Sequence, residues 1–148
     1  MKFYLHNVEN LFLVGENLNH AMRKPLEKVN QLAKMILEND PDICMLLEIG
    51  GIDSLHHFNS KFLNSAFEVY ILPGNSDRGI EMGYLVKKNI NYKAAIKSHR
   101  NHILIGSESQ KFSRDISELI ISKNDHPLFK IFLVHLKSHQ SVNRRVKF

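Results

Sequence analysis

DICMLLEIGG, residues 42–51, is the stretch on which the fold turns. Positions 43–47 form an uninterrupted apolar run of strand length, with apolar residues on both faces, the pattern of a central sheet strand covered on both sides. The run ends on Glu48, and the chain then turns at Gly50 and Gly51. In open α/β sheets ligands sit just beyond the carboxyl ends of strands, and an ionised carboxylate buried there without a partner is costly. Glu48 therefore wants a cation.

Working outward, PLEKVNQLAKMILEN (25–39) opens on Pro25, a favoured first helical residue, and sets Leu26, Val29, Leu32, Ala33, Ile36 and Leu37 on one helical face. NDP at 39–41 ends that helix before the central strand. Downstream, Ile52, Leu55, Phe58, Phe62 and Leu63 predict a second helix over Ile52–Phe62. KFYLHN precedes the first helix as a strand ending at Asn7. After the second helix come FEVYILP, MGYLVKK, AAIKS, HILIGS, SELIIS and FKIFLVHLKS, strand-like segments separated by Gly, Asn, Asp and Pro. Early helices alternating with strands, then mostly strands, predict a layered α/β sandwich with a mixed sheet.

The 148 residues suit one domain, and 43% apolar content suffices for a core. No run reaches the roughly 18 apolar residues of a membrane span, and polar residues interrupt the opening segment where a signal peptide would be apolar, so a cytoplasmic location is the default expectation. Cys44, the single cysteine, lies inside the apolar run and reads as a buried, inert thiol. A formal charge of +5 favours polyanionic partners without identifying one. Lys137, Arg144, Arg145 and Lys147 concentrate that charge at 136–148, where a solvated face is expected and phosphate contact is the alternative.

KFYLHN, DICMLLE and FKIFLVH each finish on a polar side chain: Asn7, Glu48 and His135. Oxygen ligands from Glu48 and Asn7 suit Mg²⁺, a hard ion that takes one or two carboxylates and keeps several waters. His135 would shuttle a proton or donate to phosphate near neutral pH. Taken singly, each has an ordinary alternative: a loop or capping acid for Glu48, a turn residue for Asn7. His135 and His139 form the obvious zinc pair, but an extended segment separates residues four apart by about 13 Å, too far for one ion. His56 and His57, adjacent on the second helix, are expected to face solvent.

Five motifs say more together: HNVENLF (6–12), LLEIGGIDSLHHFN (46–59), DRGIEMGYLVKK (77–88), FSRD (112–115) and VHLKSH (134–139). In this order they resemble the endonuclease/exonuclease/phosphatase superfamily, whose fold is deoxyribonuclease I-like. The resemblance implies a metal-dependent phosphoesterase that uses water to cleave phosphodiester or phosphomonoester bonds, with Mg²⁺ as cofactor and Mn²⁺ as an alternative. It implies nucleic acid or another phosphate ester as substrate. By match to the motifs, Asn7 is similar to the asparagine that orients metal and phosphate, Glu48 to the principal metal-binding acid and His135 to the active-site histidine. Arg114 is similar to an arginine that contacts substrate phosphate. Asp77 and Arg78 read as a turn pair, and Asp115 as the partner of a structural ion pair.

The chain departs from the family pattern toward its end. No aspartate begins an Asp-x-Asn motif, Asp125–His126 precedes the His135 strand where the family's Asp-His pair comes long after it, and no acid follows Asp125. The expectation is a partial domain over residues 1–148, about the first of two similar α/β halves, with an exposed surface suited to self-association or a partner chain. Three functions stay open: a phosphoesterase of this type, a truncated, catalytically inactive remnant that binds nucleic acid or a protein, or an unrelated α/β enzyme for a small phosphorylated molecule.

Overall fold

The computed structural model describes residues 1–136 apart from positions 17, 104, 105, 107–110 and 113. The order of elements is β1 (Phe3–Leu11), a 3₁₀ turn (His20–Met22), α1 (Leu26–Asn39), β2 (Ile43–Ile49), α2 (Ile52–Phe62), β3 (Phe67–Ile71), β4 (Glu81–Lys87), β5 (Lys93–Ser98), β6 (Ile116–Lys123) and β7 (His126–Val134). Two sheets result, a mixed one in the order β1-β2-β4-β3 and an antiparallel one in the order β5-β6-β7. The expected α/β sandwich is present, with its strands divided between two sheets.

Helix α1 joins the parallel strands β1 and β2, as a parallel pair requires a crossover. Its Val29, Leu32, Ala33 and Ile36 are buried at helical spacing, whereas Leu26 and Leu37 at the ends of the predicted face are exposed. Asp40, left-handed at φ 45°, closes the helix by donating its N–H to the Ile36 carbonyl at 3.0 Å. Helix α2 is tied to β3 by the buried Asn59, which donates to the Phe67 carbonyl at 2.8 Å and accepts from the Phe67 N–H at 3.3 Å.

Both helices cover one face of the mixed sheet, and Cys44, Leu46, Leu55, Phe58 and Leu85 belong to that core. Burial pushes the Cys44 thiol up to about 12, which makes it the inert group expected. The opposite face packs on the antiparallel sheet through Ile43, Tyr84, Val86, Leu119, Ile121 and Leu133. Tyr84 is fully buried, and its hydroxyl donates to the Ser117 carbonyl at 2.7 Å, joining the sheets by a polar contact inside an apolar layer. β2 is thus covered on both faces, as the apolar run at 43–47 predicts.

Several boundaries differ from the sequence reading. β1 runs past Asn7 to Leu11, β7 stops at Val134 and leaves His135 outside the ladder, and of HILIGS only Ile103 bridges, to Lys111, within the described residues. Asn124 and Asp125 are both left-handed, at φ 50° and 64°, and form the tight β6–β7 hairpin. Asp125 is therefore a turn residue whose Oδ1 meets Lys93 Nζ at 2.6 Å. Lys137, His139 and the basic residues after them lie outside the described residues. Edge strands β1 and β7 expose Leu5 (58%) and Phe132 (56%), with Phe3, Leu128 and Val134 also exposed.

Candidate active site

Glu48 owes its position to a backbone irregularity. Leu47 pairs with Asn7 on β1 and Met82 on β4, while Ile49 pairs with Leu11 and Glu81. Glu48 is thus the additional residue of a β-bulge against β4, held at φ 63°. Strict alternation would send it toward the helices with Cys44 and Leu46. The bulge instead brings its Oε1 to 3.4 Å from Nε2 of His135, the residue after β7 in the other sheet. A left-handed non-glycine residue costs of order 1–3 kcal/mol and persists where its surroundings impose it, typically at functional positions.

Glu48 and His135 are mostly enclosed, with side chains 18% and 15% exposed. Their 3.4 Å approach is too long for a strong charge-assisted hydrogen bond. Burial pushes the His135 imidazole below its ordinary range, the Arg114 guanidinium lowers it further, and Glu48 opposes both. Arg114 precedes β6 and turns a buried Nη1 into this region, an atom with no hydrogen-bond partner among the described residues. A guanidinium nitrogen without a partner among the described residues, beside an imidazole whose charged form burial disfavours, is a donor available to an anion.

Asn7 lies one strand away at the level of Leu47. It shares a strand face with Phe3, whose ring meets Phe129 of the other sheet at 6.0 Å, so that face looks toward the antiparallel sheet. Its Oδ1 accepts from the Glu9 N–H at 2.9 Å, and among the described residues it makes no hydrogen bond to Glu48, His135 or Arg114. The geometry therefore gathers Glu48, His135 and Arg114 and sets Asn7 beside them. Among the described residues no group of three or more His, Cys, Asp or Glu side chains stands at metal-binding spacing. One carboxylate with an adjacent amide oxygen fits a cation that retains most of its water, as Mg²⁺ does, and not a dehydrated zinc site.

Other residues support this end of the sandwich. Asn75 donates its amide to the Arg100 carbonyl at 2.6 Å and the Phe112 carbonyl at 3.2 Å, pinning the segment that leads to Arg114. Glu81, opposite Ile49, accepts from the Gly74 N–H at 2.8 Å; burial pushes its carboxyl up and Asp115 adds repulsion. A Cβ at Gly74 would stand 2.8 Å from that carboxylate, so a larger residue there would have to displace the Glu81 side chain. Asp115 accepts from the His99 N–H at 2.8 Å, in place of the expected pairing with an arginine. Glu81 and Asn75 sit in quoted or adjoining motifs, but nothing local marks them as supports.

Metal-free His135 gives a direct check by histidine NMR titration. It is expected to titrate below about 6.5, to rise in Arg114→Gln and to fall further in Glu48→Gln. Because its folded-state value is depressed, its contribution to stability is present above about pH 6.5 and is lost as pH falls through the lower, folded-state value. A wild-type value above 6.5 would contradict the enclosed site.

No family model matches the chain, and no curated protein matches it by sequence. Solved structures do match. Truncated Caenorhabditis elegans TDP2 aligns with a TM-score of 0.57 and 20% identity over 96% of this chain and 48% of its own. The human Nocturnin catalytic domain, which carries a bound sulfate anion, aligns with a TM-score of 0.59 and 15% identity over 97% of this chain and 53% of its own. An endonuclease/exonuclease/phosphatase from Bacteroides vulgatus aligns with a TM-score of 0.52 and 9% identity over 81% and 45%. The chain has a partial deoxyribonuclease I-like fold. It spans about half the length of the structures it matches. Within that fold the bulge of β2 and the end of β7 meet at the rim between the two sheets.

Proposed function

We propose that the chain carries part of the active site of a Mg²⁺-dependent phosphoesterase, with a phosphodiester such as that of nucleic acid as the leading substrate. The observation that supports this reading is the convergence at the rim between the sheets of Glu48, His135 and the Arg114 Nη1, which has no partner among the described residues. Glu48, with Asn7 beside it, would hold the cation, which neutralises phosphate charge and polarises the phosphoryl group when bound. Arg114 donates to a non-bridging phosphate oxygen and steadies the charge that grows there as water attacks phosphorus. His135, whose charged form burial disfavours, exchanges a proton with that water or with the departing oxygen as the ester P–O bond breaks.

A second reading has its own support, the single acid in the gathered cluster: a surface that binds nucleic acid without cleaving it. Incubation of the purified chain with a short DNA duplex, with and without Mg²⁺, separates the two. Metal-dependent strand cleavage is expected. Binding that weakens steeply with salt, without cleavage, would favour the second reading, and neither binding nor cleavage would overturn both.

A further inference from the structure

Two residues beyond Glu48, Gly50 underlies a shelf to which the proposed chemistry assigns no role. Asn10 is left-handed at φ 58°, and its carbonyl accepts the Phe12 N–H at 2.8 Å, so the chain folds sharply just before Phe12. The Phe12 carbonyl accepts from the Lys24 N–H at 3.0 Å, and Gly50 donates to the Leu11 carbonyl at 2.9 Å. One side of the Phe12 ring lies on the Gly50 backbone, where a Cβ would come within 2.4 Å of Cδ1. Only glycine fits beneath the ring. Phe12 and Met22 line two adjoining hollows of about 450 and 200 Å³. Asn10 and Arg78 flank the larger and Leu18 the smaller, with Met22 49% exposed.

Arg78 belongs to the Ser76–Gly79 turn and donates Nη2 to the Asn10 Oδ1 at 2.9 Å. That bond orients the guanidinium and leaves its other N–H groups, with the Asn10 amide N–H₂, as further donors on two residues that line the larger hollow. The shelf therefore combines an apolar floor, an aromatic ring held from below and a planar donor edge. Those are the contacts a nucleobase makes: stacking on its face and hydrogen bonds along its rim. Gly50 is two residues beyond Glu48, which puts their Cα atoms within about 7.6 Å. The Arg78 charge also complements a phosphate between shelf and carboxylate.

We infer that the Phe12–Met22 shelf, edged by Arg78 and Asn10, binds the base of a nucleotide whose phosphate lies at Glu48, Arg114 and His135. This rests on the proposed phosphoester centre and gives it a substrate class: nucleotidyl esters in preference to esters without a base. Among the described residues the lining holds no base-reading carboxylate, so stacking dominates and discrimination among bases is weak.

Calorimetric titration with adenosine 5′-monophosphate and with ribose 5-phosphate, both in Mg²⁺, tests it. These ligands share sugar and phosphate and differ by the base. The wild-type chain is expected to bind the nucleotide about tenfold more tightly. Phe12→Leu keeps an apolar side chain but removes the ring, and Met22→Glu places a charge on an exposed edge that tolerates it. Both should reduce nucleotide affinity to that of ribose 5-phosphate and leave the latter unchanged. Equal wild-type affinities, or a preference that survives both substitutions, would overturn the shelf while leaving the phosphate centre intact. Failure of both ligands to bind would overturn the shelf and the phosphate centre together.

Discussion

Glu48→Gln is expected to weaken Mg²⁺ binding at least about a hundredfold, because changes to groups that merely orient a metal ligand already cost about 10–100-fold. Among the described residues Glu48 is the single carboxylate in the Glu48–His135–Arg114 cluster, so its charge has no substitute among them. Glutamine keeps the length and the bulged backbone at φ 63° but removes the anion. The fold should survive, since the side chain contacts His135 at 3.4 Å and stands at the rim outside both apolar cores. Metal titration by calorimetry, paired with thermal unfolding, measures the two consequences separately. Equal Mg²⁺ affinity in the two proteins would remove Glu48 as the ligand. Loss of folding would instead make the acid a structural requirement.

Tyr84→Ala should destabilise the chain by about 3–5 kcal/mol, the usual cost of truncating a buried aromatic residue, out of a typical total of about 5–15 kcal/mol. Tyr84 occupies the centre of the layer between the sheets, where burial holds its hydroxyl neutral and pushes its pKa up to about 12. Removing the ring opens a cavity and leaves the Ser117 carbonyl of β6 without its side-chain donor. Tyr84→Phe separates these contributions: it keeps the volume and should cost about 0.5–1.5 kcal/mol for the lost hydrogen bond. Urea unfolding of the three proteins gives both numbers. A cost below about 1 kcal/mol for the alanine variant would mean that Tyr84 does not join the sheets.

The parts of this architecture governed by local pattern were legible in the chain. Val29, Leu32, Ala33 and Ile36 recur at the helical period and are buried as that period requires, and α2 occupies the expected Ile52–Phe62. β2 reads as central because apolar residues occupy both of its faces. The site residues stood out only where polar side chains ended such runs or matched the five motifs. The bulge at Glu48 had no signature, since it arises from register against β4 and left-handed φ is unusual for glutamate. Residues whose roles depend on long-range partners were equally silent. Asp115 meets a backbone N–H rather than an arginine, and Asn75 gains its role only when two distant carbonyls reach it. Division of the strands into two sheets likewise depends on pairings that a single strand does not encode.

The proposal that Glu48, with Asn7 beside it, holds one cation next to His135 at the sheet rim is tested most directly by substoichiometric Mn²⁺ in an NMR experiment. Paramagnetic broadening should fall first on the His135 imidazole and the Asn7 amide, spare His56 on the solvent face of α2, and disappear in Glu48→Gln. Broadening centred elsewhere, or unchanged by that substitution, would contradict the site.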